Sequence, residues 1–222
     1  MTVPSSSELV LIASGKARLA GTLELPPSPR GIVLFAHGSG SSRLSPRNNY
    51  VAGELRRAGL GTLLLDLLSR DEDSQYENRF DIALLGARLG DAVHWVAEEP
   101  ETKGLALGLF GASTGAAAAL QLAAGRPDEI AAVVSRGGRP DLAGREALAQ
   151  VRAPTLLIIG GEDHTVIELN RQALPELTCE KELAVVRGAT HLFEEPGALA
   201  EVARLAARWF KGYLGAGRQS VA

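Results

Sequence analysis

The chain has 222 residues, 45% of them hydrophobic and 22% charged, which is the composition of an ordinary globular protein with one well-buried core. Its 23 basic and 26 acidic residues leave a formal net charge of −3. This balance argues against a nucleic-acid-binding protein, because such proteins neutralise phosphates with a surplus of basic residues.

The sequence shows no targeting signal. Its first ten residues lack a basic segment followed by an apolar one, and no apolar run approaches the roughly 18 residues of a membrane-spanning helix. The single cysteine, Cys179, leaves no internal disulfide, as is usual in a reducing compartment. We therefore expect one cytoplasmic domain over residues 1–222, with no membrane or nucleic-acid partner.

Eight short apolar segments predict strands. The first two, at 10–13 and 18–25, predict a leading hairpin. Several of the other six are apolar at consecutive rather than alternate positions, which is typical of strands buried on both faces of a parallel sheet. The six lie at 32–37, 61–66, 105–110, 130–135, 154–160 and 181–186.

Amphipathic segments between these strands predict helices at 50–58, 79–97, 114–125, 166–174 and 198–214. The alternation predicts a doubly wound, mostly parallel α/β sheet with helices on both faces. Only 18 residues, 136–153, separate two successive strands, so no lid domain is expected there. The polar stretch 67–78 is expected to form at most a flexible flap.

The sequence Gly-Ala-Ser-Thr-Gly at 111–115 lies between a predicted buried strand and a predicted helix. Gly-x-Ser-x-Gly at such a junction is typical of a nucleophile elbow, in which the serine occupies a strained turn and the glycines avoid collisions. The helix that follows points its free N–H groups back at the turn, so the Thr114 N–H is a candidate oxyanion donor. We interpret Ser113 as a nucleophile rather than as part of an ordinary turn.

A serine nucleophile needs a base, and the chain has four histidines. His191 follows the last predicted strand, at the sheet edge where the active sites of doubly wound proteins gather, and is the candidate base. His94 lies within a predicted helix, and His164 directly follows an acid, so neither is expected at the serine. His37 follows the first central strand.

The third catalytic group must be an acid that orients the histidine. Asp163 comes after a pair of glycines at a predicted strand end and is the candidate. Asp141, after the preceding strand, is the alternative. The order Ser113, Asp163, His191 is the one expected with a nucleophile elbow.

A glycine-rich segment, AHGSGSS at 36–42, follows the first central strand. One of the N–H groups at 39–41, for which we take Ser39, is expected to complete an oxyanion hole with Thr114. The segment lacks the spacing and the lysine of a phosphate-binding P-loop. His37 and Gly38 are candidate substrate contacts on the same loop.

Arg136 follows a predicted strand at the same edge of the sheet. It is a candidate to anchor a substrate carboxylate, or else to form an ion pair with Asp141 or Glu162. Weaker candidates of the same kind are Arg43 and Arg70.

With these motifs the chain resembles the α/β-hydrolase superfamily, and specifically its small, lidless dienelactone-hydrolase-like branch. The resemblance rests on HGSGSS, GASTG, GGEDHTV and GATHLF and covers nearly the whole chain. It implies an eight-stranded sheet whose second strand is antiparallel, a triad of Ser113, Asp163 and His191, and neither cofactor nor metal. The dienelactone hydrolases that give the branch its name use a cysteine nucleophile, so a serine esterase or lactonase is expected instead.

The expected function is therefore hydrolysis of carboxylic esters or lactones through an acyl-enzyme. The missing lid favours small or exposed acyl groups. Two alternatives stay open: a non-catalytic binding protein with this fold, and a peptidase or thioesterase that uses the same triad.

Overall fold

The computed structural model describes residues 6–215 of the chain. Its eight strands form one sheet in the order β1-β2-β4-β3-β5-β6-β7-β8. In chain order they are β1 (Ser6–Ser14), β2 (Ala17–Leu25), β3 (Ile32–Ala36), β4 (Gly61–Leu65), β5 (Leu107–Ala112), β6 (Ile130–Arg136), β7 (Thr155–Gly160) and β8 (Lys181–Val186).

The direction of the strands follows the predicted pattern. Strand β2 is antiparallel to both of its neighbours, β1 and β4, whereas β3 to β8 pair in parallel. Strands β3, β4 and β5 are buried along their whole length, as their continuous apolar runs indicated. The predicted mostly parallel, eight-stranded α/β sheet with an antiparallel second strand is confirmed.

Helices cover both faces of the sheet. They are α1 (Pro46–Arg57), α2 (Arg70–Asp73), α3 (Ile82–Glu98), α4 (Thr114–Gly125), α5 (Arg145–Gln150), α6 (His164–Ala173) and α7 (Ala198–Leu214). Helices α1 and α7 pack with one face in one apolar cluster, and α3, α4 and α5 pack with the other face in a second cluster. Among residues 6–215, no helix combines the length and apolarity needed to cross a membrane.

Three helices begin at capping residues that periodicity alone did not reveal. Helix α1 starts at Pro46 rather than near position 50, because the Ser45 side chain accepts the Asn48 N–H and proline suits the first turn. The Asp81 carboxylate caps α3 in the same way, by accepting the Leu84 N–H. Asp163 caps α6, which therefore begins two residues earlier than the sequence predicted.

The polar stretch after β4 is more ordered than the predicted flap. It contains α2, whose capping box joins Ser69 and Glu72, and a 3₁₀ turn at Tyr76–Phe80. Glu72 also forms an ion pair with Arg88 of α3, and Arg79 binds both carboxylate oxygens of Asp73. We call residues 67–81 the flap segment.

Candidate active site

Ser113 lies in a strained turn between β5 and α4. Its φ of 51° and ψ of −120° are unusual for a residue with a side chain. The flanking glycines make the turn possible, since a Cβ on Gly111 would lie 2.3 Å from Ala116 Cα and one on Gly115 would lie 2.2 Å from Ala36 O. The turn therefore has the backbone geometry expected of a nucleophile elbow, and Ser113 is partly exposed.

His191 and Asp163 are joined directly. His191 Nδ1 lies 2.6 Å from Asp163 Oδ2, while Asp163 Oδ1 accepts the Val166 N–H at 3.4 Å. An ionised carboxylate only accepts hydrogen bonds, so Nδ1 carries the proton and Nε2 is left with a free lone pair. The Asp163 side chain is 13% exposed and that of His191 is 41% exposed, so the carboxylate is shielded while the imidazole faces solvent.

The loop that carries His191 is held at both ends. A Cβ on Gly160 would lie 2.4 Å from Ala189 O, so the glycine after β7 lets this loop pack against the strand end. Thr190 donates to Glu195 Oε1 through its N–H at 3.1 Å and its hydroxyl at 2.6 Å. The Thr190 hydroxyl thereby lowers the pKa of the Glu195 carboxyl. These contacts fix the position of His191 relative to Asp163.

His191 also lies next to the elbow. A Cβ on Gly137, the residue after β6, would lie 3.5 Å from His191 Cε1, and the preceding residue pairs with Ala112 at the end of β5. No hydrogen bond joins Ser113 Oγ to His191 among the contacts of the described residues. Such bonds often tighten only when substrate binds.

The glycine-rich loop after β3 packs against the elbow from the other side. A Cβ on Gly38 would lie 3.0 Å from Ser113 Cβ and 3.7 Å from its Oγ. The Ser39 N–H donates to Thr114 Oγ1 at 3.0 Å, so in the resting structure the predicted oxyanion donor is occupied by the threonine hydroxyl. The Thr114 N–H donates to no acceptor within residues 6–215.

His37, a predicted substrate contact, lies in a buried environment. It is buried, its Nε2 accepts the Leu67 N–H at 3.0 Å, and its Nδ1 lies 3.0 Å from Gly38 O. Burial lowers the pKa of His37, which favours the neutral ring with its proton on Nδ1. Both nitrogens are therefore engaged with the backbone, and the ring joins the loop after β3 to the flap segment.

The contacts of Arg136 and Asp141 bear on the alternatives that the sequence left open for these two residues. Arg136 is buried and pairs with neither Asp141 nor Glu162; its Nη2 lies 3.4 Å from Asn48 Oδ1. Asp141 instead binds Arg139 through both carboxylate oxygens, so this acid is not at His191.

The remaining candidates are exposed on helices or have contacts of their own. Arg43 forms an ion pair with Asp66, and Arg70 is exposed at the start of α2. His94 and His164 are both exposed on helices. Burial raises the pKa of the Cys179 thiol, which keeps it protonated and poorly reactive.

Three residues near the site were not singled out from the sequence. Gly137 adopts a φ of +51° and lets His191 approach. The Gly-Gly pair after β6 was the sequence feature that could have indicated this turn. Phe193 is buried with a φ of 57°, and Glu195 anchors the histidine loop. Neither of the latter two belongs to a pattern that a single sequence displays.

Comparison with known proteins agrees with this fold. Residues 19–213 match the Dienelactone hydrolase family. A dienelactone hydrolase structure from Anabaena variabilis is 53% identical, with a TM-score of 0.92, over 95% of this chain and 99% of that one.

Two more distant structures share the fold alone. A dienelactone hydrolase-like promiscuous phosphotriesterase from metagenomic libraries is 18% identical, with a TM-score of 0.78, over 95% of this chain and 99% of that one. The esterase domain of a Rhodothermus marinus protein is 21% identical, with a TM-score of 0.76, over 95% and 100%.

Two curated relatives come from strains of Mycobacterium tuberculosis and are provisionally named phosphoribosyl transferases. Each is 54% identical over 211 residues, which are 95% of this chain but 47% of the relative. The chain therefore spans about half the length of the curated relatives that it matches. By the family match and by its likeness to the Anabaena structure, the chain belongs to the dienelactone hydrolase family, whose fold is that of a hydrolase.

Proposed function

We propose that this protein is a serine hydrolase that cleaves carboxylic esters or lactones with small or exposed acyl groups. The observation that carries the proposal is the 2.6 Å contact between His191 Nδ1 and Asp163 Oδ2 beside a strained Ser113. A histidine held in this tautomer presents Nε2 as a base, and a serine on an elbow is positioned to use it.

The proposed reaction has two acyl-transfer steps. His191 Nε2 takes the proton of Ser113 Oγ as this oxygen attacks the carbonyl carbon, and the C=O electron pair moves onto oxygen. When the tetrahedral intermediate collapses, the C–O bond to the alcohol breaks and His191 gives its proton to the leaving oxygen. His191 then takes a proton from water as the water oxygen attacks the carbonyl carbon of the acyl-enzyme. When this second intermediate collapses, the C–O bond to Ser113 breaks, the carboxylic acid leaves and His191 returns a proton to Ser113 Oγ.

The oxyanion of the intermediate needs backbone donors. The Thr114 N–H at the start of α4 is free for this role. We assign the second donor to the Ser39 N–H, which becomes available when the Thr114 hydroxyl turns away. In this proposal, a rotation about one Thr114 side-chain bond frees the Ser39 N–H for the oxyanion.

The transferase name of the curated relatives does not carry over to this chain. Those proteins are about twice as long as the matched region, and the matched region belongs to a hydrolase family. The arrangement around Ser113 is suited to acyl transfer to water.

Labelling of the serine tests the proposal. We expect a fluorophosphonate probe to modify Ser113 in the folded protein, as located by peptide mass mapping. Ser113→Ala should lose the label and at least about 10⁴-fold in ester hydrolysis, because the nucleophile is gone. Ser74→Ala, on the exposed flap segment, is the matched control and should behave as the wild type.

A folded wild-type protein that leaves Ser113 unlabelled would contradict the catalytic role. A series of p-nitrophenyl esters of increasing acyl length tests the substrate class separately. Short acyl chains should be preferred, and a strong preference for long chains would show that the small-acyl part of the proposal is wrong.

A further inference from the structure

A buried cation without a counter-charge lies beside the histidine loop. Arg136 is the last residue of β6 and is only 8% exposed. Its Nε has no hydrogen-bond partner, and within residues 6–215 it forms no ion pair. Burying a charge without a partner is costly, and burial, followed by repulsion from Arg47, lowers the pKa of Arg136 to about 10. The group therefore remains a cation at neutral pH.

The surroundings of Arg136 add positive charge instead of compensating it. Arg47 lies in the first turn of α1, close enough to act on Arg136 electrostatically, and its own Nε is buried without a partner. Arg47 forms a 2.9 Å ion pair with one acid, Glu194, and the Glu194 side chain is 63% exposed. The start of a helix contributes about half a positive charge more.

Two contacts with uncharged side chains hold the Arg136 guanidinium in place. Its Cζ lies 5.9 Å from the centre of the Phe193 ring, and Nη2 contacts Asn48 of α1. These contacts orient the guanidinium, but neither supplies a negative charge. The Nε atoms of Arg136 and Arg47 therefore remain buried without an acceptor within residues 6–215.

We propose that Arg136 and Arg47, the latter at the start of α1, form a binding site for a phosphate group. After Glu194 is counted, the two guanidinium groups and the helix end leave about +1.5 of charge. A phosphate group carries about −1.5 to −2 at neutral pH, and its several oxygens accept bonds from both guanidinium groups. A carboxylate, with one charge and two oxygens, matches this site less well.

The phosphate has two possible sources. It is either a free inorganic ion or a phosphate carried by the substrate. Phe193 connects the site to the active centre, because it contacts Arg136 and lies two residues after His191. The substrate-borne case rests on the proposed esterase function, whereas binding of the free ion does not depend on it.

Binding of inorganic phosphate to Ser113→Ala, measured by calorimetry and thermal melting at constant ionic strength, tests the site without any catalysis. At a hundredfold excess over Kd, bound phosphate should raise Tm by about 5–10 °C. Arg136→Met and Arg47→Gln, each in the Ser113→Ala background, should weaken phosphate binding about tenfold or more. Arg145→Gln, which removes a highly exposed arginine of α5, is the matched charge control and should bind as the parent does.

Melting in chloride buffer separates a ligand site from a purely structural arginine. Without phosphate, Arg136→Met should melt at the parent's temperature or above, because the substitution removes a buried uncompensated charge. The proposal is overturned if phosphate binding is absent or unchanged in both arginine variants. It is also overturned if acetate, or chloride at the same ionic strength, stabilises the protein as much as phosphate does.

A matched pair of p-nitrophenyl esters, one ending in a phosphate and one in a hydroxyl, identifies the source in active protein. If the substrate carries the phosphate, the phosphorylated ester should have a KM at least about tenfold lower, and Arg136→Met should abolish the difference. Equal KM values together with saturable phosphate binding would assign the site to the free ion. An absence of hydrolysis with phosphate binding intact would count against the proposed function but not against the site.

Discussion

The carboxylate of Asp163 has two contacts. One oxygen binds His191 Nδ1, and the other caps α6 by accepting the Val166 N–H. The cap fixes the side chain, so the acid meets the histidine in a defined orientation. Helix stability and histidine orientation therefore depend on the same side chain, and a substitution can separate the two.

Asp163→Asn should keep the helix and lose catalysis. Asparagine is as good an N-cap as aspartate, so Tm should change little. Its amide group can offer an N–H to Nδ1, which favours the wrong tautomer, and a comparable change in another serine hydrolase costs about 10⁴ in kcat. Steady-state ester hydrolysis and thermal melting measure the two effects.

Asp141→Asn is the control for this experiment. Its carboxylate pairs with Arg139, so the loss of that pair should leave kcat within a few-fold of the wild type. A large loss in Asp141→Asn together with a mild loss in Asp163→Asn would show that the assignment of the acid is wrong.

The positions of these residues were predictable for a physical reason. Ser113, Asp163 and His191 each follow a strand, and the carboxyl ends of parallel strands meet at one edge of the sheet. The environment of Arg136 could not be predicted in the same way. It depends on which face of β6 the side chain occupies and on where α1 begins, and the latter was set by the Ser45 cap.

At the scale of elements, the loops of the site are held by side chains that give no periodic signal. The flap segment illustrates this, because its polar composition predicted flexibility. Burial alone would raise the pKa of the Glu72 carboxyl. The hydrogen bond from the Ser69 N–H and the ion pair with Arg88 outweigh this effect, so the pKa of Glu72 is lowered. Arg88 lies 16 residues further along the chain, on α3, so a single sequence gives no sign of this pairing.

Glu72→Ala should loosen the flap segment while the rest of the fold remains intact. Removal of one half of a capping box costs about 1 kcal/mol, so the amides of residues 67–81 should exchange with solvent about fivefold faster. Glu77→Ala, at an exposed position of the same segment, should leave exchange unchanged. Equal acceleration in both variants would mean that the Glu72 contacts do not hold the flap. Hydrogen exchange followed by mass spectrometry resolves the segment.

At the scale of the whole molecule, the apolar segments predicted where the strands lie along the chain and that the central strands are buried. They did not predict the order of the strands in the sheet. Two separate apolar clusters lie on the two faces of the sheet. His37 lies where the chain leaves β3, and its Nε2 accepts the N–H of Leu67, just beyond the neighbouring strand β4. This hydrogen bond joins the ends of two adjacent strands at the edge of the sheet where Ser113 lies.

The buried His37 should make the fold sensitive to acid. Burial lowers its pKa in the folded state, so below about pH 6.5 the unfolded chain takes up a proton that the folded chain does not. The stability that a neutral His37 contributes is complete above that pH and is lost as the pH falls towards the folded-state pKa. The loss is at most about 1.4 kcal/mol per pH unit.

His37→Gln should reduce this acid sensitivity, because the glutamine amide can both accept the Leu67 N–H and donate to Gly38 O without titrating. Thermal melting between pH 8 and pH 5 should show a smaller fall in Tm for His37→Gln than for the wild type, even if its Tm at pH 8 is lower. His94→Gln removes an exposed histidine and should follow the wild-type curve. Parallel curves for all three proteins would contradict the prediction, because the proton taken up on unfolding would then belong to another group.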